Sequence, residues 1–135
     1  MLKSNFNIIF AKETINIDNI QTPNNLSECF DAIEFELRNS PEKEWFKNST
    51  EDEIINSTHY ALGEWIRNNW KLWSETSHPL KEYFAKINIH HHDDMSSIIL
   101  TSFWRHLHNQ PLEVEKQTQV YIDHWEKIKC EQLSK

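Results

Sequence analysis

The 135-residue chain contains a single glycine, two cysteines and four prolines. An average chain carries about 7% glycine, and its scarcity here excludes whole classes of function. A Walker loop, a dinucleotide fingerprint and a nucleophile elbow each need several glycines where backbone meets phosphate or turns sharply. Asn-Gly and Asp-Gly hairpin turns are missing too, which argues against an all-β fold. No stretch reaches 18 consecutive apolar residues, and Met1-Leu2-Lys3-Ser4-Asn5 lacks the apolar run of a signal peptide, so a cytoplasmic protein without a membrane partner is expected. Cys29 and Cys130 have no motif around them and read as free thiols.

What is present is hydrophobic (38%), aromatic (12%, with six Trp) and acidic, with a formal charge of −7. A chain of this length suits one domain able to hold its own core. The negative charge disfavours a phosphate-tracking surface, so no nucleic-acid partner is expected and a basic protein partner suits it better. Protonating all eight histidines would move the formal charge from −7 to +1, so electrostatic binding should respond to pH.

Residues 1–22 mix short apolar pairs with Asn and Asp, as in an extended or partly ordered arm. From 23 to 135 the pattern is helical. Asn25 with Glu28 makes a start signal for a first helix running to about Asn39, and Ser40-Pro41 opens a short second one. Thr50 with Glu53 opens the longest predicted helix, about 50–73. Its residues Ile54, Ile55, Leu62, Trp65, Ile66, Trp70, Leu72 and Trp73 share one wide stripe, which predicts the central element of the fold. Gly63 sits at the edge of that stripe, where a helical glycine costs about 1 kcal/mol relative to Ala; a close crossing by a second backbone is the expected compensation. Ser77-His78-Pro79 breaks the long helix, Leu80, Tyr83, Phe84 and Ile87 mark a short one, Asp93 or Asp94 caps the next, and Pro111 starts the last, with Val114, Val120, Tyr121, Trp125 and Ile128 as its stripe. The expectation is an all-α single compact domain of five or six helices around a long Trp-rich helix.

His59, Asn69 and His106 fall inside apolar stripes and read as a structural polar core together with Arg67 and Gly63. The competing reading makes His59 and His106 a shared ligand or proton-transfer site. The run His90-His91-His92-Asp93-Asp94 offers zinc or nickel donors, but adjacent residues point in different directions and the helical i, i+4 spacing of His-Glu-x-x-His is missing. Neither a metal nor another cofactor is therefore expected. Asp93 and Asp94 read instead as N-cap and first-turn acid, and Arg67 as an ion-pair partner for one of them. No nucleophile has an adjacent base and no oxyanion hole is available, so catalytic residues are not assigned. Phe35 and Trp104 lie opposite the stripes of their helices. With Trp45, they are either covered by neighbouring chain or exposed anchors of a binding surface, and Asp93 and Asp94 could join such a surface.

The segment His59-Tyr-Ala-Leu-Gly63-Glu-Trp65-Ile-Arg67-Asn68-Asn-Trp70-Lys-Leu72-Trp73, then Pro79-Leu80, Tyr83-Phe84 and Asp93-Asp94-Met95-Ser96-Ser97-Ile98-Ile99-Leu100, resembles a small bacterial domain family of unknown function. Its pattern is H-x-x-x-G-x-W-I-R-N-x-W-x-L-W followed by H-P-D-D-M-S-x-I-I-L. The resemblance covers about residues 26–108 and departs at His92, where the pattern has Pro. It implies no chemistry. Small acidic proteins of this kind look like immunity proteins that neutralise a cognate toxin, such as one delivered by contact-dependent growth inhibition. The functional expectation is a cytosolic immunity protein that blocks a basic toxin domain by direct binding. The alternatives are a small enzyme or metal-binding protein using His59, His106 and the His90–Asp94 loop, and a structural or regulatory helical module.

Overall fold

The computed structural model describes residues 21–58 and 61–134, with backbone alone at 57 and 58. Most of the expected arm, and His59, lie outside the described residues. Those residues form seven α-helices and no strand: α1 Leu26–Leu37, α2 Glu42–Asn48, α3 Glu51–Thr58, α4 Leu62–Asn69, α5 Pro79–Lys86, α6 His92–Leu107 and α7 Val114–Leu133. The all-α class is as expected, with one or two more helices than the sequence pattern suggests.

Local chemistry sets the helix starts. Asn25 Oδ1 accepts from the Glu28 amide at 2.9 Å, and Glu28 reaches back to the side chains of Asn24 and Asn25. Ser40 Oγ accepts from the Glu42 amide at 3.1 Å, with Pro41 preset for the first turn of α2. At α3, Thr50 Oγ1 accepts from the Glu53 amide at 3.2 Å and donates to the Glu53 carboxylate at 3.1 Å.

The long helix expected over 50–73 is a correction. The helix is interrupted: α3 ends at Thr58, Ala61 is not helical, and α4 starts at Leu62. It ends again at Asn69, and Lys71 takes a left-handed φ of 51°. A stripe drawn on one continuous helix therefore misplaces its ends: Ile55 is exposed and Trp73 is 59% exposed. Gly63 is not in a helix interior but is the second residue of α4, where it is buried. Its φ is not positive, so what it contributes is the missing Cβ rather than backbone freedom.

The central element is α6. Met95, Ser96, Ile98, Ile99, Leu100, Thr101, Ser102, Phe103 and Trp104 are all buried, and α1, α2, α3, α4 and α7 pack on it. Ser96, Thr101 and Ser102 are small, so neighbours approach α6 around its whole circumference. Apolar residues from every side complete the core, including Ile33, Leu37, Phe46, Ile54, Leu62, Ile66, Trp70, Leu80 and Phe84. Phe103 stands between Phe30 and Phe46, with ring centroids 6.0 and 5.3 Å apart. The last helix begins at Val114 rather than Pro111, after Glu113 turns the chain with φ 50°. Only Thr118 of α7 is buried, and Val120 and Trp125 of its expected stripe are exposed.

Candidate functional site

Two places bring polar and aromatic side chains together. The first is the start of α6. Asn88 closes α5 with φ 63°, and the Ile89 amide donates to Phe84 O at 2.9 Å, so buried Ile89 pins the loop that carries His90 and His91. His91, with extended backbone, is the N-cap, its Nδ1 accepting from the Asp93 amide at 3.1 Å. This corrects the expectation that Asp93 or Asp94 caps the helix; both lie in its first turn, where the helix dipole favours negative charge.

Arg67 of α4 meets this turn as expected. Its Nε lies 3.5 Å from Asp93 Oδ1, and it donates to Ser96 Oγ at 2.9 Å while Ser96 Oγ donates to Asp93 O at 3.0 Å. Asp94 faces the other way and accepts from Trp125 Nε1 of α7 at 2.8 Å. The His91 ring stacks on Trp125, centroids 5.5 Å apart. His92 Nδ1 lies 3.2 Å from Asp93 Oδ1. One donor atom each from His91, His92 and Asp93 falls within 4.8 Å of the others. Adjacent residues point apart only within one regular element. Here the chain passes from extended to helical backbone between His91 and His92, and the three side chains converge.

His106 is not part of a buried polar core. Its side chain is 48% exposed, stacks on Phe30 at 4.8 Å and lies 3.9 Å from Glu34 through Nε2. It lies fifteen positions beyond the N-cap His91, roughly 22 Å along the axis of α6, so His106 and the His90–Asp94 loop do not share a site. Asn69 is buried as expected, its Nδ2 donating to Trp65 O at 2.9 Å; among the described residues its Oδ1 has no partner.

The second place is a groove of about 430 Å³ between α1 and the Trp65/Trp70 side of α4, lined by Phe35, Trp65, Trp70, Glu28, Asp31 and Glu36 and continued by residues 21–23. Among the described residues no Lys or Arg lines it. Trp65 and Trp70 pack edge to face at 5.8 Å as its floor, and Phe35 stands at its rim, 60% exposed. The Arg38 guanidinium sits 3.7 Å over the Phe35 ring. The three aromatic candidates therefore separate. Phe35 is open, Trp45 is half-buried against Phe46, and Trp104 is 9% exposed with its indole N–H donating to Ser49 O at 2.8 Å. Trp104 is thus a core residue and not a surface anchor.

Several residues escape the sequence reading. His108 bridges α2 to α6, its ring nitrogens 2.7 Å from Lys47 O and 2.8 Å from Trp104 O. Glu42 is fully buried, held by the Ser40 hydroxyl. Helical periodicity places Trp125 on an apolar stripe, but only the packing angle of α7 aims its N–H at Asp94. Of the thiols, Cys29 is buried and Cys130 exposed; burial, helped by the Glu28 carboxylate, pushes the Cys29 thiol well above its ordinary range.

No helix among the described residues is long and apolar enough to cross a membrane. No curated protein and no solved structure matches the chain. Residues 22–107, from the segment before α1 to the end of α6, match a family model, and the chain belongs to the family described as a domain of unknown function (DUF6794).

Proposed function

We propose that this chain is a binding protein for a basic protein partner, and specifically an immunity protein that neutralises a toxin domain by direct contact. The observation that carries the reading is the groove between α1 and α4, in which aromatic faces and carboxylates meet with no Lys or Arg among the described residues that line it. Such a surface suits an arginine or lysine side chain, because the ring quadrupole and the carboxylates attract the same cation. Phe35 already attracts Arg38 of its own chain in that way. Charge complementarity would speed encounter, and burying Phe35 at the centre of an interface would supply affinity. Cytoplasmic residence fits this role.

The test is co-purification of the untagged chain with the product of the adjacent gene, at low and moderate salt. A complex is expected, weakened by Asp31→Asn with Glu36→Gln and by Phe35→Ala, each with little change in thermal stability. Absence of a complex at both salt concentrations, with no protection from that product, refutes the reading. A complex indifferent to all three substitutions places the interface elsewhere and refutes the groove. The rival enzyme reading has lost its pairing of His106 with the His90–Asp94 loop, which sit at opposite ends of α6.

A further inference from the structure

We propose that the start of α6 binds a borderline divalent metal ion such as Zn²⁺, Co²⁺ or Ni²⁺ through His91, His92 and Asp93, independently of the α1–α4 groove. Two imidazole nitrogens and a carboxylate oxygen already lie within 4.8 Å of one another. Donors bound to one tetrahedral zinc stand roughly 3.3 Å apart, given metal–ligand bonds of about 2.0 to 2.2 Å. The 3.2 Å between His92 Nδ1 and Asp93 Oδ1 matches that span. The three side chains are between 39% and 44% exposed, but the His92 Nδ1 atom itself is covered and has no hydrogen-bond partner among the described residues, so a turn of that ring, with no unfolding of the helix, admits the ion. An N₂O donor set favours these metals over Mg²⁺ or Ca²⁺, which call for more oxygen ligands.

The surroundings leave coordination positions open. Beside His91 runs a groove of about 670 Å³ whose lining includes His90, Asp94, Trp125 and Glu126. Water, or a donor group entering that groove, would complete the coordination. Asp94 faces the other way, with its Oδ2 engaged by the Trp125 indole, and adds negative charge to the same turn without being a donor. Two features oppose a cation: the positive end of the α6 dipole, and the Arg67 guanidinium 3.5 Å from Asp93 Oδ1. They set the expected affinity in the micromolar range rather than the much tighter range of structural zinc. Binding also competes with protons on both imidazoles and weakens in acid. An ion on His91 Nδ1 would compete with the N-cap bond to the Asp93 amide, so the cap itself reports binding.

The experiment is calorimetric titration of the untagged, metal-free full chain with Zn²⁺, and optical titration with Co²⁺, whose visible d–d bands report the coordination geometry. One ion per chain is expected, with the Asp93 amide resonance shifting in step. His92→Ala and Asp93→Asn should each weaken binding by at least about tenfold. His106→Ala and His124→Ala should leave it unchanged, and Arg67→Gln should tighten it by removing the competing cation. Asp93→Asn keeps the shape of the side chain and remains informative if His92→Ala fails to fold. No saturable binding tighter than about 1 mM overturns the proposal. So does binding to Asp93→Asn equal to that of the parent, since the ion would then sit on the histidine run alone.

Discussion

Trp104 and Phe35 look alike in the sequence, each an aromatic opposite the apolar stripe of its helix, and the structure makes opposite predictions for them. Trp104 is 9% exposed, and its indole N–H reaches across 55 positions to the carbonyl of buried Ser49. Trp104→Phe keeps a ring against His108, whose centroid lies 3.9 Å away, but removes the donor and part of the ring. A buried acceptor left unpaired costs about 1–3 kcal/mol, and some 40 Å² of lost apolar contact adds about 1 kcal/mol. The expected loss is about 2–4 kcal/mol out of the roughly 5–15 kcal/mol typical of a domain, which lowers Tm by about 8–16 °C. Phe35→Leu, at a residue 60% exposed, should stay within about 0.5 kcal/mol of the parent. Urea unfolding followed by circular dichroism measures both, with unchanged slope as the check that only stability moved. If Trp104→Phe costs less than about 0.5 kcal/mol, or Phe35→Leu costs as much as Trp104→Phe, the Trp104–Ser49 bond does not tie α6 to the α2–α3 junction as described.

The two thiols should separate cleanly in a native-state titration with a disulfide reagent. Exposed Cys130 reacts at once and buried Cys29 reacts only on unfolding, and two fast thiols would contradict the packing of α1. Gly63→Leu should destabilise the fold by about 1–3 kcal/mol despite leucine's better helix propensity, because the position is buried where α4 packs on α6; chemical unfolding that finds the variant as stable as the parent rejects the tight fit. Burial raises the phenols of Tyr83 and Tyr121, with Cys29 and Asp94 adding to it and a Ser97 hydrogen bond partly offsetting it at Tyr121. The folded state therefore holds these protons to higher pH than the unfolded one. The corresponding stability is complete below the ordinary tyrosine value near 10 and is lost as pH rises from there through the folded values. Ultraviolet titration should show delayed ionisation in the native protein that Tyr83→Phe and Tyr121→Phe each reduce, and identical curves in native and urea-unfolded protein would refute it.

The helix starts were legible because a cap is a local event. Asn25 with Glu28, Ser40 with Pro41, and Thr50 with Glu53 satisfy orphan amides within four residues, so sequence adjacency is the relevant geometry. Arg67 and Asp93 could be paired from sequence because first-turn acids and a stripe-edge arginine are both predictable. The continuity of 50–73 was not legible, since a stripe is indifferent to whether one helix or two carry it. The central role of α6 was missed for a related reason. Serine and threonine do not count as apolar, yet Ser96, Thr101 and Ser102 are buried and complete a helix packed all round. The convergence of His91, His92 and Asp93 depends on a change of backbone conformation at one residue, which periodicity does not register.

The net charge of −7 is weaker support for a basic partner than it first looks, and its distribution shows why. Each of the seven helices among the described residues has an acid in its first turn: two in α2, three in α3 and two in α6. Those carboxylates answer exposed helix amides and the positive end of each dipole, a structural demand that any chain with many short helices must meet. A fold of seven helices is thus acidic before any partner is considered. Asp31 and Glu36 differ, because both lie beyond the first turn of α1, where helix electrostatics offer them nothing, and both line the groove with Phe35. The support for a cationic partner therefore rests on these few carboxylates and the ring beside them. That is why their substitution should cost binding while leaving stability in place, and why neutralising Glu53 or Asp94 should do the reverse.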